Sequence, residues 1–109
     1  MRIIVNDILW KIVFVHPSSV QLLNNQGLPT FGVTDNNVKC VFLSNKLKGE
    51  FLYKVLCHEL CHVYCFSYNI FMSVDDEEHL AQFISEYGKS IISDTDTLLD
   101  IMLNHNIAL

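Results

Sequence analysis

One stretch in the middle of the chain, Val55-Leu56-Cys57-His58-Glu59-Leu60-Cys61-His62-Val63-Tyr64, limits the possible folds more than any other. It contains His-Glu-x-x-His. Each residue of an α-helix turns by about 100°, so His58 and His62 lie one turn apart on the same face. Two imidazoles at that spacing can grip one metal ion from one side. Glu59 falls beside the ion rather than on it, where its carboxylate can take a proton from water that the ion activates. This is the pattern of a zinc hydrolase helix, with Zn²⁺ as the expected cofactor. A chance pairing is the competing reading, because the chain holds five histidines. Against chance stands the setting: Val55, Leu56, Leu60, Val63 and Phe66 make the helix a buried one, and an unpaired carboxylate is costly there.

The 109 residues make one domain, 1–109, and half of them are apolar, so a core is available. A net charge of -5 without a Lys/Arg cluster argues against a nucleic-acid surface. Met1-Arg2-Ile3-Ile4-Val5-Asn6-Asp7 does not read as a signal peptide, since Asn6-Asp7 interrupts the apolar run. No stretch approaches a membrane span. Cys57, Cys61 and Cys65 fall at i, i+4, i+8 on one expected helix, too rigidly arrayed for a disulfide framework. With Cys40 they read as free thiols, and the expected location is the cytoplasm.

Strands come first and helices after. Arg2–Val5 and Ile8–Val15 are rich in β-branched and aromatic residues, with Asn6-Asp7 as a two-residue hairpin turn. Pro17–Leu23 suits a short helix with Pro17 in its first turn. Thr30–Thr34 and Val38–Leu43 read as a second hairpin around Asp35-Asn36-Asn37. Ser44 or Asn45 can cap the motif helix, which runs to about Tyr68 with Gly49 weakening its first turn. Ser73-Val74-Asp75-Asp76 resembles a capping box for a helix to about Ile91, and Ser93-Asp94-Thr95-Asp96 repeats the signal for a last helix over Thr97–His105. The expected class is α+β: a small antiparallel or mixed sheet packed on the motif helix and a following antiparallel helix.

A catalytic zinc takes three protein ligands and keeps a place for water. The extended histidine pattern of the metzincins is excluded, because Tyr68 stands where its third histidine belongs and Cys65 where its glycine does. The acidic run Asp75-Asp76-Glu77-Glu78 opens the next helix, and a short link can bring it back toward the metal. With Leu80, Phe83, Ile84, Tyr87 and Ile91 as the apolar stripe, Glu77 lies about 60° from Leu80, Asp76 about 40° on the other side and Glu78 about 160° away. Glu77 is therefore favoured as third ligand, Asp76 is open, and Glu78 is disfavoured. The plainer reading of the run is that acids in a first turn suit the helix dipole. Cys65 is a rival ligand, but three donors from one helix face surround a tetrahedral ion poorly. Cys57 and Cys61 suit packing, His79 a solvated position, His16 a structural role and His105 a helix end. Tyr53, Tyr64 and Tyr68 stay open as oxyanion donors, while Tyr87 is too far along its helix. The strand Val38–Leu43, just before the motif, is the expected edge for a peptide substrate.

The helix Leu56-Cys57-His58-Glu59-Leu60-Cys61-His62 and the segment Glu77-Glu78-His79-Leu80-Ala81-Gln82-Phe83-Ile84 together resemble the ImmA/IrrE family of small gluzincin-like metallopeptidases, often encoded on phages and mobile elements. Gly32-Val33-Thr34-Asp35 to Leu43 is also similar to that family's strand pair before the motif. The resemblance covers about residues 30–92. It implies a zincin-like fold, Glu77 at the family's second-helix acid, zinc-dependent hydrolysis of a protein or peptide and, for some members, cleavage of a transcriptional repressor. The sequence departs from the family in its cysteines around the motif, in having no long C-terminal extension and in having no helix-turn-helix region. The alternative from another class is a non-catalytic zinc-containing module that binds and sequesters a regulator. Such a module has no need of Glu59.

Overall fold

The structure, a computed structural model, describes residues 1–105. Strand β1 (Arg2–Val5) and strand β2 (Ile8–Val15) form the expected hairpin. Its turn takes φ 49° at Asn6 and 63° at Asp7. Two successive left-handed residues make a type I′ turn, and Asn and Asp tolerate that conformation best after glycine. A single 3₁₀ turn, Val20–Leu22, replaces the short helix, capped by Ser19. Strands β3 (Gly32–Asp35) and β4 (Cys40–Ser44) pair antiparallel as the second hairpin.

The sheet is mixed, in the order β1-β2-β4-β3. β4 runs parallel to β2, with Ile12 beside Val41 and Phe14 beside Leu43. This corrects the expected substrate edge: Val38–Leu43 leads into the strand that lies between β2 and β3, and the sheet's edges are β1 and β3. The residues explain the order. Cys40, Val41, Leu43 and Ser44 are all buried, whereas β3 carries Gly32, Thr34 and Asp35 and no fully buried side chain. An apolar strand gains most from two neighbours; a polar one tolerates the rim.

Helix α1 (Gly49–Ser67) lies across one face of the sheet. Val5, Trp10, Ile12, Val41, Leu43, Leu47 and Val63 form the core, with Val55, Leu56, Leu60 and Phe66 packed against it. The helix starts later than the Ser44 or Asn45 cap suggested. Ser44 stays in β4, buried, and Gly49 takes φ 58° at the point where the chain turns into the helix. The glycine therefore makes the entry turn rather than weakening a turn already formed. At the other end, the Trp10 indole N–H donates to Ser67 Oγ at 2.9 Å and the Asn6 side-chain amide donates to the Ser67 carbonyl at 2.9 Å. Both bonds tie the first hairpin to the end of α1.

Helix α2 (Val74–Phe83) continues through a π-helical turn, Ile84–Gly88, into α3 (Lys89–Asn104). No break occurs at Ser93–Asp96. The Thr95 hydroxyl bonds the Ile91 carbonyl within the helix at 2.8 Å, so it does not act as a cap. No helix among the described residues is long and apolar enough to cross a membrane.

Trp10 is fully buried and its N–H has Ser67 as partner. Trp10→Ala is expected to lower the unfolding free energy by about 3–5 kcal/mol in urea titrations. Ser67→Ala, which strands the indole N–H, is expected to lower it by about 1–3 kcal/mol. Equal midpoints for wild type and Ser67→Ala would show that this bond does not anchor the hairpin.

Candidate metal centre

The turn between α1 and α2 determines which acids face the histidines. Asn69 takes φ 54°, Ile70 N–H bonds the Cys65 carbonyl at 2.9 Å, and Asn69 N–H bonds the Phe66 carbonyl at 3.4 Å. This is a Schellman ending with Asn in the left-handed position, and it reverses the chain sharply. Ser73 then caps α2, its Oγ accepting from Asp76 N–H at 3.1 Å. The two helices meet through small side chains: Cys61 and Cys65 pack on Ala81, flanked by Leu80 and Ile84. All four cysteines are free thiols, and Cys61 and Cys65 serve this packing.

His58, His62 and Glu78 form a cluster whose ligand atoms lie within 4.8 Å of one another. His58 Nε2 is 3.1 Å from one Glu78 oxygen, and His62 Nε2 is 2.8 Å from the other. Donors at 2.0–2.2 Å from a tetrahedral ion stand roughly 3.3–3.6 Å apart. Two imidazole nitrogens and a carboxylate at these separations fit a divalent first-row cation after small side-chain rotations. The cluster holds three donors from two helices, as a zinc hydrolase helix requires.

The acid of the cluster is thus one residue on from the expected Glu77. The reason is the packed face of α2. Phe83, Tyr87 and Ile91 are exposed, while Ala81 and Ser85 are buried. The face that meets α1 is the small one, centred on Ala81. Measured from there, Glu77 lies about 40° to one side and Glu78 about 60° to the other, so both reach α1. They reach different atoms: Glu77 sits 2.6 Å from His62 Nδ1, on the far side of the ring from the cluster. Asp76 stays exposed.

Glu59 is buried at 7% exposure, beside the histidines. The Thr34 hydroxyl lies 2.9 Å from its Oε1 and 3.1 Å from its backbone carbonyl oxygen, so one hydrogen serves two acceptors. Burial pushes the Glu59 carboxyl above the usual range. The Thr34 bond and the nearby His62 and His58 pull it down, and Glu78 raises it further. Gly32 makes this contact possible. A Cβ there would lie 3.0 Å from Glu59 Cγ and 3.0 Å from Val55 Cγ1. The His-Glu-x-x-His spacing by itself points to neither Gly32 nor Thr34. The available signal was a glycine inside a β-strand pattern, which marks a close backbone approach.

These groups open on a cleft of about 750 Å³, walled by Phe31, Thr34, His58, Glu59, His62 and Glu78 among others. Tyr53, Tyr64 and Tyr68 do not line it. Tyr64 and Tyr68 stack on each other with ring centres 5.9 Å apart, and Tyr53 faces Lys89. His79 is exposed as expected, and His16 bonds Ser18 within its turn. His105 lies at the end of α3, its N–H on the Ile101 carbonyl. Burial pushes the Cys61 thiol up to about 12, so it is a packing group at neutral pH.

Comparison with protein-family models, with curated proteins and with solved structures gives no match. The site is therefore read from its own geometry.

The raised carboxyl of Glu59 has a consequence for stability in the metal-free chain. Its folded value lies above the unfolded value, so the folded state holds the proton longer as pH rises. Stability is fully present below the ordinary value near 4.5 and is lost as pH climbs through the raised one, at no more than about 1.4 kcal/mol per pH unit. Chelator-treated Glu59→Gln is thus expected to gain on wild type in melting temperature between pH 5 and pH 8. A constant difference across that range would contradict the burial penalty.

Proposed function

We propose that the chain is a zinc-dependent peptidase that hydrolyses peptide bonds through a site built from His58, His62, Glu78 and Glu59. The observation that carries this reading is the convergence of both Nε2 atoms on the Glu78 carboxylate, with Glu59 buried alongside in the same cleft. Zinc held there would supply a Lewis acid that acidifies water and polarises the scissile carbonyl. Glu59 then acts as the general base. It takes the proton of the attacking water and passes it to the leaving amine. Burial that raises its carboxyl suits both roles, since a carboxylate nearer neutrality accepts and returns a proton more evenly. Thr34 holds the carboxylate from the strand side.

Edge strand β3 borders the cleft through Gly32, Val33 and Thr34. An extended peptide can add to that edge as a further strand, with its backbone paired and one peptide bond carried to the site. The substrate class is accordingly a protein or peptide segment in extended form. The resemblance to the ImmA/IrrE family favours a regulatory repressor as target. The three-donor count among the described residues favours this catalytic reading over a closed structural zinc module, which takes four ligands.

Elemental analysis of wild type is expected to find one zinc per chain, and none in His58→Ala. Glu59→Gln is expected to keep its zinc and to lose about 10²–10⁴-fold in peptide hydrolysis. Hydrolysis that survives intact in Glu59→Gln would overturn the mechanism.

A further inference from the structure

Glu77 has no place among the three donors, yet it is not a solvated acid. Its side chain is 18% exposed against 51% for Glu78. Its neighbours Asp75 and Asp76 face water, which is all that a favourable interaction with the helix dipole requires. Glu77 instead points into the α1–α2 interface. One of its oxygens is 2.6 Å from Nδ1 of His62, whose own side chain is 11% exposed.

The consequence lies on the opposite edge of the ring. A neutral imidazole carries one proton. With the proton on Nε2, the ring cannot offer that nitrogen to a metal. Glu78 faces Nε2 at 2.8 Å, so each ring nitrogen meets a carboxylate in the metal-free chain. A metal on Nε2 would leave the ring's one proton on Nδ1, where Glu77 accepts it and fixes the plane of the ring.

We infer that Glu77 is a positioning residue, which accepts from His62 Nδ1 and fixes the ring so that Nε2 stays aimed at the His58–Glu78 cluster. This rests on the reading of His58, His62 and Glu78 as a metal centre. It also gives the paired acids separate tasks: Glu78 binds, and Glu77 orients.

The test compares wild type, Glu77→Ala, Glu77→Gln and Glu78→Ala at pH 8. Zinc affinity is read by competition with a chromophoric chelator, and the His62 tautomer by imidazole ¹⁵N shifts of metal-free chains that also carry Glu78→Ala, where Nε2 no longer meets a carboxylate. Glu77→Ala is expected to keep one zinc per chain, bound about 10–100-fold more weakly. In the Glu78→Ala background, Glu77→Ala is expected to move the His62 signals from a single Nδ1-protonated form toward a mixture of tautomers. Glu77→Gln preserves the shape of the interface and still offers an amide oxygen to Nδ1, so it is expected to recover part of both losses. It also serves as the readout should the alanine variant fail to fold. Glu78→Ala alone is expected to show the Nδ1-protonated form while losing far more affinity. Wild-type affinity and an unchanged tautomer in both Glu77 variants would overturn the inference alone. So would loss of all zinc in Glu77→Gln beside retained zinc in Glu78→Ala, which would make Glu77 the ligand. A wild-type chain that binds no zinc would overturn the metal centre itself, and the positioning role with it.

Discussion

A carboxylate taken out of water must be compensated where it stands, and Glu59 is the carboxylate around which this molecule is arranged. The effective penalty for a buried, uncompensated ion is several kcal/mol, comparable to the whole stability of a small domain. Glu59 meets it on two sides. Thr34 donates from β3, and the nearby imidazoles of His62 and His58 draw the carboxyl back down. That solution needs the strand to come unusually close to the helix, which Gly32 allows. It also needs β3 at the sheet's edge, where Thr34 can turn toward the helix. The sheet order β1-β2-β4-β3 delivers that edge by placing the apolar β4 inside.

The second half of the site depends on how closely two helices approach. Cysteine at positions 61 and 65 and alanine at 81 keep the α1–α2 contact thin. A thin contact lets two adjacent acids, Glu77 and Glu78, straddle the facing helix rather than one pointing in and the other out. Bulkier residues in that seam would lift Glu78 away from the imidazoles. The π-helical turn at Ile84–Gly88 keeps Ser85 buried in the same seam. Beyond it the packing ends: α3 buries no residue, and the molecule is correspondingly long, 56 Å against 30 and 27 Å.

Much of this was legible in the residues. The hairpin turn at Asn6-Asp7, the strand pair before the motif, the Ser73 cap and the motif helix itself follow from local chemistry that tertiary packing does not override. What was not legible depended on which face of an element is covered. Large apolar residues at Phe83, Tyr87 and Ile91 suggested one buried stripe for α2, but its partner α1 offers cysteines there and selects Ala81 and Ser85 instead. The shift brings Glu78 rather than Glu77 into the cluster with both Nε2 atoms. The order of β4 and β3 was hidden for the same reason: both look like edge candidates until β2 takes β4 as a parallel neighbour. Thr34 was invisible because its role lies across a strand–helix contact twenty-five residues away in sequence.

The central claim is that an ion binds to two imidazoles and a carboxylate, with the cysteines nearby left out. X-ray absorption at the zinc edge of the zinc-loaded protein tests it most directly. The expected spectrum shows imidazole scattering and only nitrogen or oxygen neighbours at about 2.0–2.2 Å. A sulfur shell at about 2.3 Å, placing a thiolate of Cys61 or Cys65 on the ion, would contradict it.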